Sequence, residues 1–184
     1  MNRTRSRWFQ TAGLWACVIL ATGCAHQAAR LSPAAQRIAD REAIEDVLAR
    51  VNLGFEVSDP EMFAGAFAED GIYQLDGKGP VFGYEKMLYR GRADIRTIIT
   101  DRLDKARKAD PKTLTYDPAS LRRFNRNSDS RIVLVDDKTA HHTSTWMVVM
   151  HTNVNIHISA IGRYDDTLEK RNGQWFIAKR VRSE

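Results

Sequence analysis

The carboxy-terminal part of the chain constrains its fold most. From Leu121 onward the sequence reads as long extended segments separated by turn signals. Leu121–Val135 runs into Asp136-Asp137-Lys138, and Thr139–His151 follows. Ile156–Arg171 meets Asn172-Gly173, the strongest short hairpin signal, and Gln174–Arg182 closes the chain. Such segments exceed the usual strand of about five or six residues. Strands that long must twist, so a meander of them predicts a curved antiparallel sheet with one face to be covered.

The cover comes from the preceding residues. Ser32 is placed as an N-cap with Pro33 at the first helical position, and Ile38, Ile44, Val47, Leu48, Val51 and Phe55 recur at helical spacing. Ser58-Asp59-Pro60 ends this helix and opens a second, with Met62, Phe63 and Phe67 as its apolar face and Asp70-Gly71 as its end. Ile72-Tyr73-Gln74-Leu75 reads as a short strand, and Gly77–Gly83 as a loop or short hairpin. A third helix is expected over Gly91–Ala109, with Ile95, Ile98, Ile99 and Leu103 inward, and Pro111–Pro118 is irregular. Helices segregated from antiparallel strands define an α+β domain.

The first residues stand apart from this fold. Arg3, Arg5 and Arg7 precede an uncharged apolar run, Trp8–Ala21, which ends in Leu20-Ala21-Thr22-Gly23-Cys24. A positive start, an apolar middle and small residues at the end make a secretory signal. The run is short of the roughly 20 apolar residues that span a bilayer, which disfavours a retained anchor. The ending resembles a bacterial lipobox, which implies cleavage before Cys24 and lipidation of Cys24. Plain secretion is the alternative. The expected organisation is a signal peptide over 1–23, a tether over 24–31 and one domain over 32–184. The expected address is the bacterial cell envelope, on the periplasmic side and at the outer membrane, held by the lipid anchor only.

Processing changes what composition says. The chain has 28 Lys+Arg and 23 Asp+Glu, and losing Arg3, Arg5 and Arg7 leaves 25 against 23. A nearly neutral mature chain gives no case for a nucleic-acid partner. Cys17 leaves with the signal, so no disulfide remains available and stability must come from an apolar core.

Ala39-Asp40-Arg41-Glu42-Ala43-Ile44, Phe67-Ala68-Glu69-Asp70-Gly71-Ile72-Tyr73, Gly91-Arg92-Ala93-Asp94-Ile95 and Arg123-Phe124-Asn125-Arg126-Asn127 follow one another at a recognisable spacing. So do Asp136-Asp137-Lys138-Thr139-Ala140, Gly162-Arg163-Tyr164 and Arg171-Asn172-Gly173-Gln174-Trp175. Together they resemble the SnoaL-like branch of the nuclear transport factor 2 superfamily over residues 35–182. The resemblance implies a cone: three N-terminal helices packed in a strongly curved mixed or antiparallel sheet around an apolar pocket. It implies a lyase, dehydratase or isomerase that needs no cofactor and acts on a small aromatic or polycyclic molecule. It equally allows a binding module for an apolar ligand or partner protein. It further implies a homodimer or homotrimer. Fold alone does not choose among these activities.

An apolar pocket makes titratable groups reactive by desolvating them. Glu56 follows Phe55 at the end of the first helix, where the resemblance implies a Tyr-Asp pair. Arg123 stands where many relatives have a His, with Asn127 matching their Asn, and alternation puts Arg123, Asn125 and Asn127 on one strand face. An Arg is no base at neutral pH but can hold a developing oxyanion. The resemblance implies a catalytic His near His157. The expected roles are therefore His157 as base, Glu56 as its orienting partner or the acid, and Arg123 with Asn127 on the oxyanion. Of His141 and His142 alternation lets only one line the pocket, and the resemblance implies His142, with Ser144 and Trp146 on the same face. Phe55, Tyr73 and Trp146 would line the pocket, and Tyr73 and Tyr89 are possible hydroxyl donors. No histidine pair shows chelating spacing, so no metal is expected.

Overall fold

In a computed structural model the structure describes residues 31–76, 87–108, 122–151 and 156–183. Residues 1–30, including the expected signal and Cys24, lie outside the described residues, as do the Gly77–Gly83 loop and Pro111–Pro118. The elements are α1 (Pro33–Glu56), α2 (Pro60–Gly65), β1 (Phe67–Asp76), β2 (Leu88–Arg90), α3 (Arg92–Lys108), β3 (Arg122–Leu134), β4 (Thr139–His151), β5 (Ile156–Arg171) and β6 (Gln174–Ser183). The strands form one curved six-stranded sheet in the order β2-β1-β6-β5-β4-β3.

Local chemistry sets most boundaries. Ser32 caps α1 through its side chain, which accepts from the Ala35 amide at 3.2 Å, and Asp59 caps α2 through the Glu61 and Met62 amides, each at 2.9 Å. The two helices meet at Gly54, where a Cβ would stand 2.5 Å from the Phe63 amide nitrogen. At the β5–β6 turn Asn172 and Gly173 both take positive φ, 52° and 82°, as a two-residue hairpin requires.

One expectation needs correcting. The second helix stops at Gly65, and Phe67 opens β1, because the Ala66 carbonyl accepts from the Ile177 amide of β6 and Phe67 is fully buried there. Of the mixed or antiparallel sheet expected, the mixed form is found: β1 runs parallel to β6, while β2–β1, β6–β5, β5–β4 and β4–β3 are antiparallel. Between α2 and α3 lie β1 and β2, where the sequence places the strand Ile72–Leu75.

All three helices contribute to one core against one sheet face. Val47, Val51, Phe63, Ile95 and Ile99 pack with Phe67, Ile132, Leu168, Trp175 and Ile177. Asp40 ties α1 to the sheet, accepting from Lys170 Nζ at 2.6 Å and Trp175 Nε1 at 3.0 Å.

Candidate functional site

Alternation divides β4 cleanly. His142, Ser144, Trp146 and Val148 are buried and His141 is exposed. Pairing extends this inner face across the sheet. Ile132, His142, Asp166, Arg180, Tyr73 and Tyr89 stand in one register row that crosses all six strands. A second row joins Ser144, Tyr164, Arg182 and Leu75, and a third joins Asn127, Trp146 and Gly162.

The first row is polar at its centre. Arg180 donates through Nε to Asp166 Oδ1 at 2.7 Å and through its terminal nitrogen to Oδ2 at 2.8 Å, with both side chains almost completely buried. His142 Nδ1 lies 2.8 Å from Asp166 Oδ2, and its Nε2 lies 3.1 Å from Ser130 Oγ. Burial would raise the Asp166 carboxyl, but the charge and hydrogen bonds of Arg180, aided by His142, hold it below the usual carboxylate range. Burial likewise opposes the Arg180 charge, and Asp166 more than restores it. The pair is therefore a fixed carboxylate and a fixed cation. An ionised Asp166 can only accept, so the Nδ1 of His142 is the protonated nitrogen when the ring is neutral.

Around this pair lies a cation–aromatic layer. The Arg180 guanidinium sits 4.2 Å from the Tyr164 ring centre, and that of Arg182 sits 3.7 Å from the Trp146 ring centre. Tyr164 and Trp146 pack with centroids 6.0 Å apart. Burial first, and the neighbouring Tyr73 second, push the Tyr164 phenol above its ordinary value, so it stays protonated. Gly162 makes this layer possible, because a Cβ there would come within 2.5 Å of the Trp146 ring and 2.0 Å of the Ser183 carbonyl oxygen. Ser144 Oγ is buried in the same layer with no hydrogen-bond partner among the described residues.

The expected site residues fall in two groups. Tyr73, His142 and Trp146 are buried together on the inner face, and half-buried Asn127 pairs with Trp146. Phe55 is buried at the end of α1, beneath Arg102, whose guanidinium lies 4.7 Å from its ring centre, and half-buried Glu56 is the last residue of that helix. The side chains at 123 and 157 lie outside the described residues; their backbones share a row, Arg123 pairing with Met150 and Met150 with His157. Asp166, Arg180 and Ser130 were not anticipated. A signal was available for Asp166 alone, an acid at the inward parity of Tyr164 and Leu168; Arg180 stands three residues from Ile177, on the far side of a shift in the β5–β6 register, so alternation would have pointed it outward. Among the described residues no three His, Cys, Asp or Glu side chains gather as a metal site, and no helix is long and apolar enough to cross a membrane.

A curved mixed sheet covered by helices on one face, with ionisable groups set into that face, defines this α+β domain. The chain belongs to the SnoaL-like domain family, whose model matches residues 36–181. It is similar to a protein of unknown function from Mycobacterium tuberculosis, at 26% identity and TM-score 0.62 over 83% of this chain and 76% of that one. Two structures from Novosphingobium aromaticivorans share the fold. An NTF2-like protein with a cystatin-like fold matches at 18% identity and TM-score 0.62, covering 80% of this chain and 83% of that one. A candidate scytalone dehydratase matches at 19% identity and TM-score 0.57, covering 80% and 85%. No curated protein matches the chain.

Proposed function

We infer that the inner sheet face holds a small aromatic or polycyclic molecule in a cone-shaped pocket and transforms it by cofactor-independent proton transfer. Elimination, retro-aldol cleavage and isomerisation are the reactions in view. The observation that carries this reading is the layer of Tyr73, Trp146, Tyr164 and His142, buried beside the unpartnered hydroxyl of Ser144. Flat aromatic walls suit a flat ligand, and a buried hydroxyl without a partner can bond one. In this reading His157 is the base, Glu56 orients it or supplies the acid, and Arg123 with Asn127 holds the oxyanion. The shared row of positions 123 and 157 supports a common mouth for these groups. The relation to a candidate scytalone dehydratase supports the reaction class. Incubating the purified domain with aromatic and steroid-like compounds, following binding and turnover, tests it. His157→Ala should abolish turnover and leave the protein folded. Retained turnover rejects the base, and tight binding without product favours the binding module instead.

The proposed address is the envelope, through the signal over 1–23 and a lipid on Cys24; Cys24→Ser should abolish incorporation of labelled palmitate, and undiminished labelling would reject that lipid site. The outer face of the sheet is the proposed homo-oligomer contact. There Ile156, Ile158 and Ile161 are 68%, 57% and 55% exposed. Ile158→Asp should convert an oligomer to a monomer in light scattering, and an unchanged mass would reject that face.

A further inference from the structure

We propose that Ser130 is a second reactive centre, a nucleophile for the acyl group of a small activated carboxylic ester. It goes beyond proton transfer in the pocket and stands independently of it, because its readout is a covalent adduct that proton transfer does not form.

The geometry is a line of three. The Ser130 hydroxyl meets His142 Nε2 at 3.1 Å, and His142 Nδ1 meets Asp166 Oδ2 at 2.8 Å. Only the serine is exposed; His142 and Asp166 are buried at 1% and 0%. An accessible nucleophile, a base within hydrogen-bond reach and a buried carboxylate orienting that base are the parts that activate a serine. The tautomer follows from charge. Arg180 keeps Asp166 ionised, the carboxylate takes the Nδ1 proton, and the Nε2 lone pair is left facing the hydroxyl.

The backbone accounts for the placement of Ser130. The pairing of β3 with β4 shifts between Ser128 and Arg131, so Asp129 and Ser130 have no partner across the strand, and Asp129 adopts a φ of 54°. A bulge of this kind re-aims a side chain that a regular ladder would place elsewhere. A hydroxyl needed only for solubility would require neither the bulge nor the buried imidazole behind it.

The chemistry balances with ester and water alone. Ser130 Oγ bonds to the carbonyl carbon, its proton passes to His142 Nε2, and the carbonyl electron pair moves to oxygen. Collapse of that adduct breaks the bond to the leaving oxygen, which takes the proton from Nε2. Water then repeats the sequence on the acyl-serine and releases the acid. A positioned base of this kind contributes at least about 100-fold.

The test treats the purified protein with p-nitrophenyl acetate and, separately, with a fluorophosphonate, followed by intact mass and peptide mapping. The proposal expects one fluorophosphonate adduct, on Ser130, and p-nitrophenol release that falls about 100-fold in Ser130→Ala. His142→Gln should remove the adduct as well. Should that variant fail to fold, the exposed Ser130→Ala and the mapped wild-type adduct still decide. Release unchanged in Ser130→Ala, no adduct, or an adduct on another residue would each overturn the proposal.

Discussion

Asp40 and Asp166 are both buried carboxylates, both held below the usual carboxylate range, and they do different work. Asp40 straps α1 to the sheet. Its partners are the Lys170 ammonium and the Trp175 indole, and the Lys170 side chain is 20% exposed. Asp166 faces a guanidinium on one side and an imidazole on the other, and beyond the imidazole lies an exposed hydroxyl. An ionised buried carboxylate is thus no sign of chemistry by itself. What decides is whether the group on its far side links it to an exposed reactive atom, as His142 links Asp166 to the Ser130 hydroxyl.

Removing each carboxylate should expose the contrast most sharply. Asp166→Ala leaves Arg180 buried without its counter-charge and should cost about 3–5 kcal/mol in urea unfolding. Asp40→Ala should cost less, about 1–3 kcal/mol, because Lys170 can turn towards water and only the indole is stranded. Equal losses would break the distinction. Acid comes next. Both carboxylates are lowered from 3.8, so the stability they add is complete above that value and is lost as pH falls below it through the folded values. Unfolding midpoints measured against pH should therefore be flat above about pH 5 and fall below it for these groups, and Asp166→Asn should flatten the acid limb more than Asp40→Asn. The smallest effect should be that of Ser130→Ala. An exposed hydroxyl at a strand bulge contributes under about 1 kcal/mol, so the melting temperature should barely move even where ester reactivity is lost. A large drop would make Ser130 a structural residue.

Much of this fold was legible because local chemistry and tertiary packing agree. Ser32-Pro33, Asp59-Pro60, Asp136-Asp137-Lys138 and Asn172-Gly173 mark boundaries that the structure reproduces. Phe67 was misread because four residues separate it from Phe63, a helical interval, whereas the bond from Ile177 to Ala66 draws the chain into the sheet. β2 is three residues long and shows no period. The parallel pairing of β1 with β6 joins residues about a hundred positions apart, which no local pattern encodes. The candidate site was less legible. Tyr164-Asp165-Asp166-Thr167 presents two adjacent acids; alternation from Tyr164 and Leu168 turns Asp166 inward, but only the register brings it beside His142 and Arg180. Ser130 became visible only through a bulge, which breaks the alternation on which strand reading depends.

The claim that joins these findings is that His142 carries its proton on Nδ1, towards Asp166, and offers a bare Nε2 to Ser130. Nitrogen-15 chemical shifts of the His142 ring, assigned by loss of its signals in His142→Gln and followed across neutral pH, report this directly. The account predicts a neutral ring at high pH with Nδ1 protonated and Nε2 in the range of an unprotonated acceptor. A neutral ring protonated at Nε2 would contradict it.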